Sequence, residues 1–235
     1  MNVTLLGQAG LYITLKDGTT LAVDPYLSDS LYEKKDKRFI RNIPIEETWL
    51  SACPDIILIT HDHGDHLDME TMRLWLAEKQ EKQILGPEPV FRALRKAWPK
   101  EHNIFTMRPG VSVTFEDLYV KAISAAHETI YAVGYLIKAE EKCIYITGDT
   151  LYTEDILKQL SGEKIDLMFS CINGVGNNMN VIDAARLVNA LRPKNVVPVH
   201  WDMFKSLGAN PEEFVRKIET GITAKIINAY ESLEL

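Results

Sequence analysis

The chain has 235 residues, of which 46% are hydrophobic and 25% charged, and its formal net charge is -7. The composition is that of an ordinary soluble globular protein, and the acidic total makes a nucleic-acid partner unexpected, because nucleic-acid binders usually present a basic face. No apolar run reaches the roughly 20 residues of a membrane span. The three cysteines form no C-x-x-C pair, which indicates a reducing compartment. The N-terminus lacks the basic leader of a signal peptide, so we expect a cytoplasmic protein.

The N-terminal part of the chain predicts a β meander. Residues 2–6 and 11–15 alternate as strands do, and Asp17-Gly18 predicts a hairpin turn before a third strand at 20–23. The segment 28–42 follows and shows little hydrophobic periodicity. Its five cations are Lys34, Lys35, Lys37, Arg38 and Arg41. We interpret it as a solvated loop; the alternative is a mobile flap whose cations attract an anionic substrate.

A cluster of metal-type side chains follows the next predicted strand, the apolar run 56–59. Half of the six histidines fall within six residues here, in the stretch Thr-His-Asp-His-Gly-Asp-His at 60–66. Because Gly64 lets the loop turn tightly, side chains on both sides of it can reach one point. The candidate ligands are His61, His63, Asp65 and His66. We therefore predict a metal site at the end of this strand.

The rest of the chain predicts helices and a second β meander. Helices are expected from 69, from 89, over 153–160, from 181 and from 211. Strands are expected at 83–85, from 104, at 111–115, 118–123, 135–138, 143–147, 165–170, 195–199 and 225–227. Two meanders, each followed by helices, predict two sheets packed face to face with helices outside. We expect one α/β domain over residues 1–235.

Three further candidate ligands each follow a predicted strand, and they are His127, Asp149 and His200. Since loops at one edge of a sandwich can converge, these residues can share a centre with the first cluster. Imidazole and carboxylate suit zinc, and also manganese or iron. Five histidines and two aspartates exceed the needs of one tetrahedral ion, so we expect two divalent ions.

Other interpretations exist for several of these residues. Asp149 alone can be a helix cap, and His127 alone can be a core histidine. We expect His102 to be exposed and unrelated to the site, and we expect the cysteines to be buried small hydrophobes. The presence of the first cluster favours metal binding at Asp149 and His127, because that cluster needs partners.

The complete set resembles the signature of the metallo-β-lactamase superfamily, H-x-H-x-D-H followed by a later His, Asp and His. The resemblance implies a four-layer αβ/βα sandwich of two mixed β-sheets with helices on the outer faces. It also implies two metal sites. The first would be held by His61, His63 and His127, and the second by Asp65, His66 and His200, with Asp149 bridging. Asp24 matches an aspartate of the superfamily that braces the metal loop.

Three motifs, at 60–68, 172–180 and 198–204, resemble the branch of this superfamily that contains L-ascorbate-6-phosphate lactonase. This narrower resemblance implies hydrolysis of a lactone or a related ester, often on a phosphorylated sugar acid, with manganese or zinc. Within and beside these motifs, the residues that we expect to contact the substrate or to brace the ligands are Asn173, Asn180 and Asp202. For the region 173–180, a plain Gly/Asn turn is an equally good interpretation.

We therefore expect a metal-dependent hydrolase that acts on a small, anionic molecule. The sequence is also compatible with assembly into a homo-oligomer. A hydroxide shared by two ions would attack the carbonyl group, and Asp65 or a nearby water would pass a proton to the leaving oxygen. The alternatives are phosphodiester cleavage by the same metal pair and a metal-binding module without activity. Oxygen reduction at a di-iron centre is disfavoured, because relatives with that activity carry an acid at the position of His63 and a flavin domain.

Overall fold

The computed structural model describes residues 1–34, 36–77, 80–129 and 131–235. In this part of the chain the strands form two sheets of seven. The first sheet contains β1 (Asn2–Gly7), β2 (Gly10–Thr14), β3 (Thr20–Val23), β4 (Ile56–Leu58), β5 (Gln83–Gly86), β6 (Asn103–Thr106) and β14 (Ser232–Glu234). The second contains β7 (Ser112–Phe115), β8 (Leu118–Ser124), β9 (Val133–Ala139), β10 (Lys142–Ile146), β11 (Leu167–Cys171), β12 (Asn195–Val199) and β13 (Thr223–Ala224).

Each sheet is antiparallel on one side and parallel on the other. In the first sheet β14, β1, β2 and β3 pair antiparallel, and β3, β4, β5 and β6 pair parallel. In the second sheet β7 to β10 are antiparallel and β10 to β13 are parallel. Parallel neighbours need long crossover connections, which helices usually provide. Both sheets are therefore mixed, as the resemblance implied.

Helices cover the outer face of each sheet. They are α1 (Ser30–Lys34), α2 (Glu47–Leu50), α3 (Met69–Trp75), α4 (Glu88–Ala97), α5 (Glu154–Gln159), α6 (Val181–Leu191) and α7 (Pro211–Arg216), with a 3-10 helix at Lys37–Phe39. Met72 and Leu94 pack α3 and α4 on the first sheet, while Leu187 and Phe214 pack α6 and α7 on the second. A further core lies between the sheets. The four-layer αβ/βα sandwich is confirmed.

The segment 28–42 is largely solvent-accessible, as predicted, since Leu31 is the only buried side chain among its described residues, but it is not an irregular loop. It forms α1 and the 3-10 helix, and Leu31 is buried in a cluster with Tyr26. The Arg41 guanidinium lies 4.8 Å from the centroid of the Tyr26 ring and donates a 2.8 Å hydrogen bond to the carbonyl of Tyr26. Helices of about one turn are too short to show periodicity. Lys35 and the side chain of Lys34 lie outside the described residues.

Two other predictions are wrong. Residues 225–227 are not a strand, because β13 ends at Ala224 and the chain instead returns as β14 to pair with β1. His102 is 3% exposed and packs against Trp98, with ring centroids 6.4 Å apart. Cys143 and Cys171 are buried, as predicted, and Cys53 is half-buried. In the described part of the chain, no helix combines the length and the hydropathy that crossing a bilayer requires.

Candidate metal centre

The seven predicted ligands converge at one edge of the sandwich, in loops that follow strands. The first four follow β4, His127 follows β8, Asp149 follows β10 and His200 follows β12. They form three groups in which the possible ligand atoms lie within 4.8 Å of one another. The groups are His61, His63 and His127; His61, His66 and Asp149; and Asp65, His66 and His200. The strand ends therefore bring together side chains from both sheets.

The loop after β4 is held in place by Asp24. One carboxylate oxygen of Asp24 accepts a 2.7 Å hydrogen bond from the Thr60 backbone N–H, and the other accepts a 2.6 Å hydrogen bond from the Thr60 hydroxyl. Further along, Gly64 passes close to α1, where a Cβ would lie 2.8 Å from a methyl carbon of Leu31. The loop thus has a fixed start, and a larger residue at position 64 would require the Leu31 side chain to move.

The first group of ligand atoms has defined ring orientations. Nδ1 of His61 lies 3.0 Å from Oγ1 of Thr60, whose own hydrogen is donated to Asp24. The His61 ring therefore donates from Nδ1 and keeps the lone pair of Nε2 for the centre. Nε2 of His127 lies 3.2 Å from Nδ1 of His63, and Nδ1 of His127 lies 3.4 Å from the carbonyl oxygen of Asn177.

The group of Asp65, His66 and His200 is centred on His66, which is fully buried. Its Nδ1 lies 2.8 Å from a carboxylate oxygen of Asp24, and its Nε2 lies 3.8 Å from Oδ2 of Asp65. The same Oδ2 atom is 3.3 Å from Nε2 of His200. A carboxylate on the outer nitrogen of a histidine is the usual partner of a metal ligand, because it fixes the tautomer and raises ring basicity.

Asp149 lies between the two groups. Its Oδ1 is 3.5 Å from Nε2 of His66, and its Oδ2 is 3.4 Å from Nε2 of His200. Oδ2 is also 4.0 Å from Nε2 of His61 and 3.9 Å from Nε2 of His127. One carboxylate therefore faces ligand atoms of both groups, which is the position that a bridging ligand requires.

The chemistry of this cluster fits divalent cations. Nε2 of His61, Nε2 of His66 and Oδ1 of Asp149 are buried, and within the described residues they have no hydrogen-bond partner. Buried polar atoms without partners are costly and rare. Three such atoms that face one another are explained by a cation among them. Imidazole and carboxylate are ligands for zinc, manganese or iron.

Without a metal ion, the protonation states of the cluster are mixed. Burial lowers the pKa of His61 well below its usual value, with a further contribution from His66, and burial lowers the pKa of His127. Burial alone would raise the pKa of Asp149, but His200 and His66 hold it well below its usual range. Burial alone would lower the pKa of His200, but Asp149 raises it to about 10. Metal ions need neutral imidazoles and ionised carboxylates, so binding displaces the protons of this paired cluster.

A cavity of about 310 Å³ opens above the ligands. Besides ligand residues, its lining includes Leu31, Arg38, Phe39, Asn173, Val175, Asn178 and Leu207. The volume is at the small end of the usual range for ligand pockets. Arg38 is the cation of this lining, and it comes from the segment 28–42. The site can therefore admit a small molecule whose carbon skeleton meets apolar walls.

Of the three residues predicted to contact the substrate or to brace the ligands, only Asn173 lines the cavity, and Asn180 and Asp202 lie outside it. Asn180 does not fill the predicted role, because it caps α6: its oxygen accepts from the N–H groups of Ile182 and Asp183, and its amide donates to Asp183. Asp202 lines a separate surface depression, and its backbone carbonyl accepts from Asn42. The prediction for Asn180 is therefore corrected, since helix capping occupies its side chain. The role of Asp202 beside the ligands stays a prediction.

Sequence reasoning missed two residues of this site. The Gln8 amide donates a 2.7 Å hydrogen bond to Oδ2 of Asp65, and its backbone carbonyl accepts a 2.8 Å bond from the His200 N–H. The Asn178 amide donates to Oδ2 of Asp149 and to Oδ1 of Asn173, at 2.8 and 3.0 Å. No local pattern marks Gln8, because its partners Asp65 and His200 lie 57 and 192 residues away in the sequence.

The chain is similar in sequence to a known family and to several of its members. The family described as "Beta-lactamase superfamily domain" matches residues 19–201. A UPF0173 metal-dependent hydrolase of Bacillus cereus (strain B4264) is 33% identical over 234 residues, which cover 93% of each chain. Another, from Enterococcus faecalis, is 29% identical over 97% of this chain and 96% of its own length.

The fold is also similar to solved structures. Igni18, a metallo hydrolase from the archaeon Ignicoccus hospitalis, superposes with a TM-score of 0.77 at 20% identity, over 100% of this chain and 98% of its own. That likeness establishes the fold. The family match over residues 19–201, together with the 33% identical relative, shows that this chain belongs to the metallo-β-lactamase superfamily and to its group of metal-dependent hydrolases.

Proposed function

We propose that the chain hydrolyses an ester or lactone at a centre of two divalent ions, zinc or manganese, with iron also chemically compatible. The observation that carries the proposal is the position of Asp149, whose oxygens lie 3.4 to 4.0 Å from imidazole nitrogens of both groups. His61, His63 and His127 would hold one ion. Asp65, His66 and His200 would hold the other. A shared carboxylate is typical of two-ion hydrolytic sites.

The ions, when bound, would supply a nucleophile at neutral pH and polarise the carbonyl under attack. The protein supplies orientation and proton transfer. Burial alone would raise the pKa of Asp65, but His66 and His200 hold it well below its usual range. Asp65 lines the cavity and enters the reaction as a carboxylate. Its oxygen can take the proton of the attacking water and deliver it to the leaving alkoxide oxygen.

The cavity lining supports a small anionic substrate. The side chain of Arg38 is 67% exposed and lines the cavity. Its Nε donates a 2.9 Å hydrogen bond to Asp36, and its terminal N–H groups can meet a carboxylate or phosphate group of the substrate. Leu31, Phe39 and Val175 can contact the carbon skeleton. The motifs that resemble the L-ascorbate-6-phosphate lactonase branch favour a lactone, and a phosphorylated sugar acid is the substrate that this branch suggests.

The test combines a substrate screen with ligand variants. Metal-loaded protein is assayed on plain and phosphorylated lactones and on simple esters, with phosphodiesters as controls. His63→Ala and Asp149→Ala should each abolish turnover. Asp62→Asn is the matched control, because Asp62 lies in the same loop and is exposed, and it should retain activity. Full activity in both alanine variants would refute the proposal.

A further inference from the structure

We propose that Gln8 is an additional ligand of the ion held by Asp65, His66 and His200, through its side-chain amide oxygen. The inference rests on the two-ion centre proposed above. It adds a residue from the turn between β1 and β2, which the set of seven ligands does not include. The evidence is the position of the Gln8 amide relative to two of those ligands.

The amide end of Gln8 forms a triangle with two ligand atoms. Its terminal nitrogen lies 2.7 Å from Oδ2 of Asp65 and 3.1 Å from Nε2 of His200. Those two ligand atoms are themselves 3.3 Å apart. Donor atoms about 2.1 Å from one ion lie about 3.0 Å apart along an octahedral edge and about 3.4 Å apart along a tetrahedral edge. The triangle is therefore close in size to one face of a coordination polyhedron.

Binding of the ion would change what the Gln8 amide must do. Without an ion, the amide N–H donates to the carboxylate of Asp65, and this bond is the shortest edge of the triangle. An ion takes up the single Nε2 lone pair of His200 and one lone pair of the Asp65 oxygen, so the amide N–H loses one of its two acceptors. An amide N–H that points at a cation is also repelled. A half-turn of the amide exchanges its nitrogen and its oxygen with little displacement of the side chain. The oxygen then faces the ion.

The backbone keeps the Gln8 side chain at this place. Gln8 is 2% exposed and has a φ of +56°, in the left-handed region that non-glycine residues rarely adopt. Its carbonyl accepts the backbone N–H of His200, which has a φ of +62°. Two unusual backbone conformations are thus joined by one hydrogen bond. Such strain persists only where surrounding structure enforces it, and it is concentrated at functional sites.

A neutral oxygen ligand has a consequence for metal choice. It raises the coordination number of this ion above that supplied by Asp65, His66, His200 and the shared Asp149. Zinc prefers four ligands, whereas manganese and iron accept more and suit oxygen donors. We therefore expect the metal site next to Gln8 to bind Mn²⁺ more tightly in the wild type than in a variant with an apolar residue at position 8.

The experiment is a metal titration that does not depend on turnover. Metal-depleted wild type, Gln8→Met and Gln8→Asn are titrated with Co²⁺ and with Mn²⁺. Methionine keeps the length without the amide, and asparagine keeps the amide but is one methylene shorter. The first ion should bind all three proteins equally. The second ion should bind both variants at least about tenfold more weakly, because one ligand is lost. Its Co²⁺ complex should absorb visible light more strongly in the variants, because the coordination number is lower.

Gln8→Glu provides the complementary measurement, since it retains an oxygen at the same reach. It should bind the second ion and keep the wild-type Co²⁺ spectrum. Equal second-ion affinity and identical spectra in wild type and Gln8→Met would overturn the inference, as would binding of only one ion by wild type. That last outcome would also refute the two-ion centre. If the wild type binds two ions but hydrolyses no ester or lactone, only the proposed activity is refuted. The metal titration still decides whether Gln8 is a ligand.

Discussion

The carboxylate of Asp24 lies 2.8 Å from Nδ1 of His66, at the end of the ring opposite the Nε2 atom that faces Asp149. The same carboxylate accepts both hydrogen bonds from Thr60. Because the Thr60 hydroxyl donates to Asp24, its oxygen is free to accept from Nδ1 of His61. One buried aspartate therefore orients a ligand of each proposed ion.

We expect Asp24→Asn to weaken metal binding by about tenfold to hundredfold. An amide is a poorer partner for the imidazole N–H groups, and one end of it cannot accept the bonds from Thr60. The measurement is a titration of metal-depleted protein with Zn²⁺ or Mn²⁺.

The matched control for Asp24 is Asp68→Asn. Asp68 is also a buried aspartate, but it accepts hydrogen bonds from Thr71 and Ser30 and caps α3. That substitution should lower stability without changing metal affinity. Equal losses of affinity in the two variants would show that Asp24 has no special relation to the ligands.

The residues that converge on the centre were predictable because each lies in a local pattern. An apolar run predicts a buried strand, and a ligand-type residue directly after it lies at the edge of the sheet. His61 after β4, Asp149 after β10 and His200 after β12 all follow this pattern. The layered fold was predictable for a similar reason, since the order of strands and helices restricts how they can pack.

What could not be predicted depends on contacts between distant parts of the chain. Gln8 meets Asp65 across 57 residues and His200 across 192, and no local pattern reports such a meeting. The segment 28–42 is ordered by Tyr26 and by a bridge between Arg41 and Phe204. The segment was predicted to be a loop because it is rich in charges and shows little hydrophobic periodicity. A helix as short as α1 cannot show such periodicity.

Gly148→Ala should disturb the centre through backbone geometry alone. Gly148 has a φ of +58°, and a Cβ there would lie 2.9 Å from the carbonyl oxygen of Val133 and 3.0 Å from Cβ of Thr60. We expect a loss of about 1 to 3 kcal/mol in the free energy of unfolding and weaker metal binding, because Asp149 is the next residue. Denaturant unfolding and metal titration measure the two effects.

The matched control for Gly148 is Gly162→Ala. Gly162 has a φ of +83°, but a Cβ there would meet nothing within 4 Å. This variant should show only the cost of the left-handed backbone, about 1 kcal/mol, with unchanged metal affinity. A Gly148→Ala protein that binds metal like the wild type would show that the loop tolerates displacement.

Arg38→Gln should reduce the preference for anionic substrates. We expect kcat/KM for a lactone or ester with a carboxylate or phosphate group to fall about twofold to fivefold, because an exposed charge contributes at most about 1 kcal/mol. The value for the neutral analogue should stay unchanged. Lys37→Gln is the control, since Lys37 is in the same 3-10 helix but outside the cavity lining. Equal effects on charged and neutral substrates would contradict the role of Arg38.

Asp166 should give the protein a pH-dependent stability that is independent of the metal centre. Its Oδ2 accepts from the backbone N–H of Cys143 at 2.9 Å, and its Oδ1 lies 2.6 Å from Nζ of Lys194. Burial alone would raise the pKa of Asp166, but these two partners lower it below its usual value. A carboxyl group with a lowered pKa in the folded state stabilises the protein above its unfolded pKa of about 4, and this contribution is lost as pH falls through the folded value.

Asp166→Asn should therefore lose about 1 kcal/mol in the free energy of unfolding at pH 7, and the difference from wild type should shrink below about pH 4. Urea unfolding of both proteins, metal-depleted so that ligand titration cancels between them, measures this difference from pH 3 to 8. Lys194→Met separates the two partners of Asp166. Because the Lys194 side chain is 70% exposed, its loss should cost less than the loss of the carboxylate. A difference between wild type and Asp166→Asn that is constant with pH would mean that the bond to Cys143 does not depend on the charge of Asp166.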